Sequence, residues 1–242
     1  MAKTKKVNWG IISTADIGVK KVIPAMQQGE LCSISAIASR NEKSAQAAAE
    51  KLGIPKAYSS YEQLLEDPEI EAVYIPLPNH MHLPWIRASI HAGKHVLCEK
   101  PIVLDPSEID ELQDLQRSSG LLIGEAFMVL HHPRWKRMKE LVNSEDIGEL
   151  RAVSGFFSYF NRDAKNIRNI QDFGGGSIYD IGCYPVLISR YLFGSEPLGV
   201  SAVLEFDQEF KIDRLASVLM EFPTGHAMFT ASTQLTPYQI IQ

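Results

Sequence analysis

The stretch His95-Val96-Leu97-Cys98-Glu99-Lys100-Pro101 decides how this chain is read. Residues 95–98 read as a short buried strand, ended by a charged pair and a proline. In an open α/β sheet, ligands bind just outside the carboxyl ends of the strands. A Glu99-Lys100 pair at such an end faces a ligand crevice rather than a core. Pro101 stiffens the turn and moves Lys100 out of the helical region of backbone space. An ammonium there can fix a substrate oxygen, tune a neighbouring acid or hold the edge of a bound ring. A solvated pair at a strand end is the alternative, and the flanking sequence bears on the choice.

Towards the N-terminus, Val7 to Ile12 is a strand, and Ser13-Thr14-Ala15-Asp16-Ile17-Gly18 turns into a helix. Strand, tight turn and helix open a mononucleotide-binding unit. The dinucleotide fingerprint G-x-G-x-x-G would fall on Ser13, Ala15 and Gly18, so a strict pattern search fails. The turn needs small side chains so that backbone N–H groups can approach a pyrophosphate. Ser13 and Ala15 are small, Gly18 allows close helix–strand packing, and Gly10 is expected where strand meets cofactor. An ordinary βα turn is the competing reading.

Leu31 to Ala38 is the second strand, ending in Ser39-Arg40. The residue about 20 positions past the turn reads the adenosine ribose, and an acid there selects NAD. No acid stands here. Ser39 and Arg40 offer donors and a positive charge, which suit a 2′-phosphate, so NADP is expected and NAD is disfavoured. Downstream come an alanine-rich helix (Lys43 to Leu52), a strand at Ala57-Tyr58 and a helix opened by Ser60 with Gln63 three residues on. A strand from Ala72 to Ile75 runs into Pro76-Leu77-Pro78-Asn79-His80, another crevice wall. His80 and His82 suggest a metal pair, but no cysteine or carboxylate cluster accompanies them, and no metal site is expected. They are read instead as helix caps or cofactor contacts. A helix from Pro84 to Ala92, the strand quoted first, a helix from Asp105 to Ser119 and a strand from Leu121 to Phe127 complete six alternations. That is the doubly wound pattern with parallel strands, over residues 1–126.

Beyond Phe127 the rhythm changes. A helix from His131 to Val142, a strand from Glu149 to Tyr159 and a polar loop to Phe173 lead to Gly174-Gly175-Gly176 and a strong helix, Ser177 to Phe193. Three strands follow, 198–206, 215–222 and 226–235. Residues 127–242 therefore read as an α+β domain with a largely antiparallel sheet. Asp180 and Tyr184 are four apart, on one side of their helix. The three glycines before them allow backbone to approach a ligand closely. A tyrosine is normally a weak acid, with pKa near 10, and a nearby ammonium lowers that value. With Lys100 as that cation, Tyr184 would take a substrate hydroxyl proton while Asp180 holds the substrate or orients the pair. A core tyrosine beside a satisfied carboxylate is the alternative.

The chain has 242 residues and a net charge of −5, with charges of both signs interleaved. Nothing in that balance suggests nucleic acid as a partner. No apolar run is long enough to span a bilayer. The basic start, Met1-Ala2-Lys3-Thr4-Lys5-Lys6, leads into a strand and not a signal-peptide core. The three cysteines, Cys32, Cys98 and Cys183, are odd in number and far apart, which fits free thiols and a cytoplasmic protein.

Together these residues resemble the Gfo/Idh/MocA oxidoreductase family. Glu99-Lys100-Pro101 and the run Gly174 to Tyr184 carry the likeness most specifically, supported by Trp9-Gly10-Ile11-Ile12, Pro78-Asn79-His80-Met81-His82 and Glu125-Ala126-Phe127-Met128. The resemblance implies that Lys100 and Tyr184 are catalytic with Asp180 assisting. It implies a cofactor cradle at Ser13, Thr14, Ala15, Asp16 and Ile17, with Ser39 and Arg40 on the ribose phosphate. Leu77, Pro78, Asn79, His82, Glu99 and Lys100 complete the cofactor side, and Arg168 joins Asp180 and Tyr184 on the substrate side. Tyr184 together with Ser39-Arg40 looks like the branch of NADP-dependent aldose dehydrogenases, glucose-fructose oxidoreductase and dimeric dihydrodiol dehydrogenase. The implied activity is hydride transfer from a sugar or polyol carbon. A trans-dihydrodiol dehydrogenase and a non-catalytic dinucleotide-binding regulator are the alternatives. Homo-oligomers through the C-terminal sheet are implied too. Members usually run to roughly 330 residues, on the scale of two domains, so the second domain is expected to be incomplete at its C-terminus.

Overall fold

The computed structural model describes residues 5–144 and 146–242; of the basic start, the first four residues lie outside this range. The chain separates into two compact units, Met1–Ala126 and Phe127–Gln242.

The first unit holds a six-stranded sheet made of β1 (Val7–Ile12), β2 (Cys32–Ala38), β3 (Lys56–Tyr58), β4 (Ala72–Ile75), β5 (His95–Cys98) and β6 (Ile123–Glu125). The order is β3-β2-β1-β4-β5-β6 and every pairing is parallel. Successive strand residues point to opposite faces, and both faces are buried. Ile12, Ala36, Ala38, Val73 and Ile75 pack under α3 (Tyr61–Glu66), α4 (His82–His91) and α5 (Glu108–Ser119). Ile11, Ile37 and Tyr74 face the opposite way, under α1 (Ile23–Gln28) and α2 (Glu42–Leu52). Two-sided burial is why these strands read as near-continuous apolar runs. The register aligns Ile12 with Ala38, Ala38 with Tyr58, Ile75 with Cys98, and Cys98 with Glu125. All carboxyl ends therefore share one edge, and the strand order reverses between β1 and β4.

Some boundaries differ from the sequence reading. The helix expected from Asp105 begins at Glu108. The Asp105 carboxylate accepts the Ser107 amide at 2.9 Å, which forms a local turn before the helix. The strand expected over 121–127 is ordered only from Ile123 to Glu125. The helix expected from Pro84 starts at His82 and is preceded by a 3₁₀ turn, Asn79–Met81.

In the second unit, a five-stranded sheet contains β7 (Ala152–Phe160), β8 (Gly199–Phe206), β9 (Asp213–Phe222), β10 (Gly225–Ser232) and β11 (Gln234–Ile241), ordered β11-β7-β10-β9-β8. The segment expected as one strand from 226 to 235 is two. The chain breaks at fully buried Thr233, and β11 pairs antiparallel with β7. The β10–β7 pairing is parallel and the rest are antiparallel. On β9, Ala216, Val218, Met220 and Phe222 point inward against α6 (Pro133–Asn143) and α7 (Cys183–Phe193). Phe193 stacks on Phe222 with ring centroids 4.3 Å apart. The other face carries exposed apolar side chains, among them Leu219, Met228, Val203 and Tyr238.

Candidate active site

In the first unit, the carboxyl edge of the sheet does the positioning. Ser13 turns the chain out of β1 with φ +135°, a value glycine adopts freely and other residues rarely do. Such backbone costs about 1–3 kcal/mol. Part of that is offset because the Ser13 hydroxyl accepts the Ala15 N–H at 3.0 Å. Ser13 thus holds the glycine conformation of the fingerprint without being glycine. Thr14 and Ala15 are half-buried, and Asp16 and Ile17 are exposed. Asp16 pairs with Lys20 at 2.7 Å. The helix widens into a π-type turn, Gly18–Val22, before α1, with buried Gly18 against Pro76 and Tyr74. Gly10 lies inside β1, where a Cβ would stand 2.6 Å from Leu64 Cδ2, so its missing side chain makes room for the packing of α3.

At the end of β2, Ser39 is buried and its hydroxyl accepts the Asn41 N–H at 3.2 Å. Arg40 is exposed, and its guanidinium reaches the Tyr61 hydroxyl. Burial raises the Tyr61 pKa, and Arg40 opposes that rise.

At the end of β4, the Leu77 side chain is in the core and its carbonyl oxygen faces His82. His82 is fully buried, with both ring nitrogens against backbone carbonyls. Pro78 and Asn79 stay half-buried at the edge.

After β5, Lys100 is half-buried and joined to Pro101 by a cis peptide. The Glu99 carboxylate accepts the hydroxyl of fully buried Tyr74 at 2.5 Å, the length of a charge-assisted bond. Burial, then the Glu99 charge, push the Tyr74 pKa far up. Glu125, at the end of β6, accepts the Ile102 N–H at 2.9 Å. Burial raises the Glu125 pKa, while the Ile102 amide and the Lys100 charge pull it down. The turn that presents Lys100 is therefore bordered by two carboxylates, each bonded to scaffold.

In the second unit the glycine run has a different use from the one expected. A Cβ at Gly175 would stand 2.5 Å from the Arg168 carbonyl oxygen, and one at Gly176 would stand 2.0 Å from Asp213 Oδ1. The close approach is made by the chain's own atoms. Gly176 also has φ +120°. Asp213, on β9, accepts the Ser177 hydroxyl at 2.7 Å and the Ile178 N–H at 2.8 Å. It thereby holds the start of the helix that carries Asp180 and Tyr184. That helix also begins with a π-type turn, Ile178–Gly182, before α7. Gly176→Ala is expected to displace Asp213 and lower stability by about 2–4 kcal/mol, read as a fall in the thermal midpoint. An unchanged midpoint would show that the loop relaxes around a Cβ.

Asp180 is held on two sides. Its Oδ2 accepts the Tyr159 hydroxyl at 2.5 Å and its Oδ1 accepts Arg168 Nε at 2.9 Å. Burial, then the Asp180 charge, raise the Tyr159 pKa well above its ordinary range. Burial is the largest influence on Arg168 and opposes its charge, but Asp180, Tyr159 and Tyr184 together outweigh it and raise its pKa. The structure thus brings Asp180, Arg168 and Tyr184 together and adds Tyr159. Tyr184 packs edge-on to Phe127, with centroids 5.2 Å apart, and tilted to Phe157 at 5.8 Å. It also lines a cavity of about 590 Å³ whose walls include Trp135, Arg134 and Gln239.

Tyr159, Asp213, Tyr74 and Glu125 were not singled out from sequence as members of these networks. Tyr159 had a local signal, since it points to the same side of β7 as Phe157. Asp213 lies 36 residues from Ser177 and has none. Among the described residues, no three His, Cys, Asp or Glu side chains group as metal ligands, and no helix is long and apolar enough to cross a membrane.

Comparison with known proteins places this arrangement. Residues 7–127 match the family model of oxidoreductases with an NAD-binding Rossmann fold, and residues 135–240 match the GFO/IDH/MocA C-terminal domain. A D-xylose 1-dehydrogenase (NADP(+)) of Haloferax volcanii is 43% identical over 95% of this chain, which spans 70% of that protein's length. The trans-1,2-dihydrobenzene-1,2-diol dehydrogenase of Mus musculus is 34% identical over 93% of this chain and 68% of its own. Among solved structures, a 3-ketoreductase from Actinomadura kijaniata in complex with NADP and TDP-benzene superposes with a TM-score of 0.90. It is 32% identical and is covered over 98% of this chain and 73% of its own. By both halves of its sequence and by its fold, this chain belongs to the Gfo/Idh/MocA family of NAD(P)-dependent oxidoreductases.

Proposed function

We propose that the chain transfers hydride between a sugar or polyol hydroxyl carbon and NADP, with Tyr184 as acid/base and Lys100 assisting. The observation that carries this reading is the shared carboxyl edge of the first unit's sheet. It collects Ser13, Ser39-Arg40, Pro78-Asn79 and Lys100 at a switch point of strand order, where such sheets bind ligands.

The residues present fit the cofactor. The Ser13 backbone takes the conformation the phosphate turn requires. Amides of the first helical turn lack acceptors within their helix and suit a pyrophosphate. Arg40 stands exposed where an acid would repel a 2′-phosphate. NADP, when bound, supplies the hydride acceptor. The chain supplies the rest. Tyr184 takes the proton from the substrate hydroxyl as the carbon gives up its hydride, and Lys100 stabilises the negative charge that develops on oxygen. Asp180, fixed by Tyr159 and Arg168, sets the orientation of the turn below Tyr184. The cavity beside Tyr184 falls in the size range of small-molecule sites and has room for a sugar. The dehydrogenase on D-xylose and the reductase crystallised with TDP-benzene support a sugar-type substrate. The dihydrodiol dehydrogenase supports the second enzyme reading.

The exposed apolar face of the second unit's sheet, with Leu219, Met228 and Tyr238, is proposed as a homo-oligomer contact. The main experiment follows NADP⁺ reduction over a panel of aldoses, polyols and aromatic dihydrodiols, beside cofactor binding. Turnover on aldoses or polyols supports the proposal, turnover on dihydrodiols alone replaces its substrate, and binding without turnover favours the regulator. Arg40→Asp is expected to move the NADP/NAD preference toward NAD by at least about tenfold, the equivalent of one charge-assisted contact. An unchanged ratio would mean that Arg40 does not read the ribose.

A further inference from the structure

His82 opens α4 and has no solvent exposure. Its Nδ1 lies 2.7 Å from the Pro101 carbonyl oxygen, and its Nε2 lies 2.8 Å from the Leu77 carbonyl oxygen. A carbonyl oxygen only accepts, and a neutral imidazole has one N–H and one bare nitrogen. A neutral ring would press a nitrogen lone pair against an oxygen lone pair at hydrogen-bond distance, too close for an intervening water. An imidazolium has two N–H groups and satisfies both carbonyls.

We propose that His82 is a buried imidazolium that clamps the loop after β4 to the loop after β5, and so positions Lys100. Leu77 precedes Pro78-Asn79, and Pro101 follows Lys100 directly. One charge thus holds both segments that the proposed function places beside cofactor and substrate, and the inference rests on that reading for Lys100's role.

The titratable groups that act on the ring are Glu99 from the turn after β5 and His80 from the turn after β4; Lys100 is next to Glu99 in the chain. Burial is the largest influence and leaves the His82 pKa below its ordinary value on balance, although the two carbonyl oxygens and the Glu99 carboxylate favour the charge and His80 opposes it; the hydrogen-bond geometry stands against that direction. The hydrogen-bond requirement decides, because no rotation of a neutral ring can offer a donor to both carbonyls. The bond from Tyr74 keeps the Glu99 carboxylate in place as counter-charge. The same chain uses this device elsewhere. Buried Lys94 donates to the carbonyl oxygens of Asp67 and Ile70, at 2.8 Å each.

The test starts with the intact chain labelled with ¹⁵N in its histidine rings. The His82→Gln spectrum identifies the His82 signals. At pH 8, above the ordinary histidine value of about 6.5, His82 is expected to show two protected ring N–H groups. A ring with a single N–H at pH 7 overturns the proposal, and this reading needs no folded variant. Activity then tests the positioning role. His82→Gln can donate to only one carbonyl side and is expected to lower kcat at least about tenfold, with the cofactor Kd within about threefold. His82→Lys restores a cation with several N–H donors and is expected to recover part of that loss. Equal activity for Gln, Lys and His at this position overturns the clamp. Normal turnover in Lys100→Met would sink the role of Lys100 and leave the charge on His82 standing. A singly protonated ring would do the reverse.

Discussion

Lys100→Met is expected to lower kcat roughly 10³-fold while leaving the cofactor Kd within about threefold. Methionine keeps most of the length and apolar stem of lysine and removes only the ammonium. The backbone of the turn has its own supports, since Glu99 is tied to Tyr74 and Glu125 to the Ile102 amide. The turn should therefore keep its shape, and the deficit falls on the charge. A second sign follows from the same site. Lys100 helps to hold the Glu125 pKa down against burial. Its removal raises that pKa further, so Glu125 should take up a proton at a higher pH than in the unaltered protein. Steady-state kinetics and cofactor titration read the first effect, and infrared bands of the protonated carboxyl read the second. Ordinary turnover in the variant would exclude Lys100 from the chemistry.

Tyr184→Phe is expected to reduce kcat by roughly 10²–10⁴-fold, the range for loss of a positioned acid or base. Phenylalanine preserves the ring that packs edge-on to Phe127 and tilted to Phe157. Ring packing therefore survives while the proton carrier is lost. KM for the substrate should change much less than kcat, because the hydroxyl works hardest in the transition state. A variant with a raised KM and an intact kcat would reassign Tyr184 to binding. Tyr159→Phe separates direct from indirect roles. It removes one bond to Asp180 and leaves Arg168 in place, so a smaller loss is expected, about tenfold, through misplacement of the Asp180 turn.

These expectations rest on parts of the chain that differ in how openly the sequence shows them. The short apolar runs at 7–12, 72–75 and 95–98 announced strands, because both faces of a parallel sheet are buried and no polar alternation interrupts them. Ser60 with Gln63, and Gly53 and Gly120 with left-handed backbone, marked helix ends by chemistry confined to a few neighbouring residues. The strand-end position of Glu99-Lys100-Pro101 was legible for the same reason, since it depends on spacing along one element, whereas Asp180 and Tyr184 fall on a π-type turn and on α7 and both act on Arg168.

Other features had no local cause. The break at Thr233 and the parallel pairing of β10 with β7 depend on which strand a segment meets, and β7 lies more than 60 residues upstream. The glycines at 175 and 176 look like a ligand cradle, but the atoms they make room for belong to Arg168 and Asp213. His82 reads as a polar residue near a crevice, and only the fold turns it inward onto two carbonyls. By itself the sequence determined the six alternating elements, the second domain's sheet-and-helix character and the residue types offered for chemistry. Tertiary structure alone decided which polar groups meet protein partners, as Glu99, Asp180 and His82 do, and which stay exposed, as Arg40 does. The physical reason is that periodicity and capping act over one or two turns of chain, whereas a buried donor or acceptor must find its partner wherever the fold delivers one.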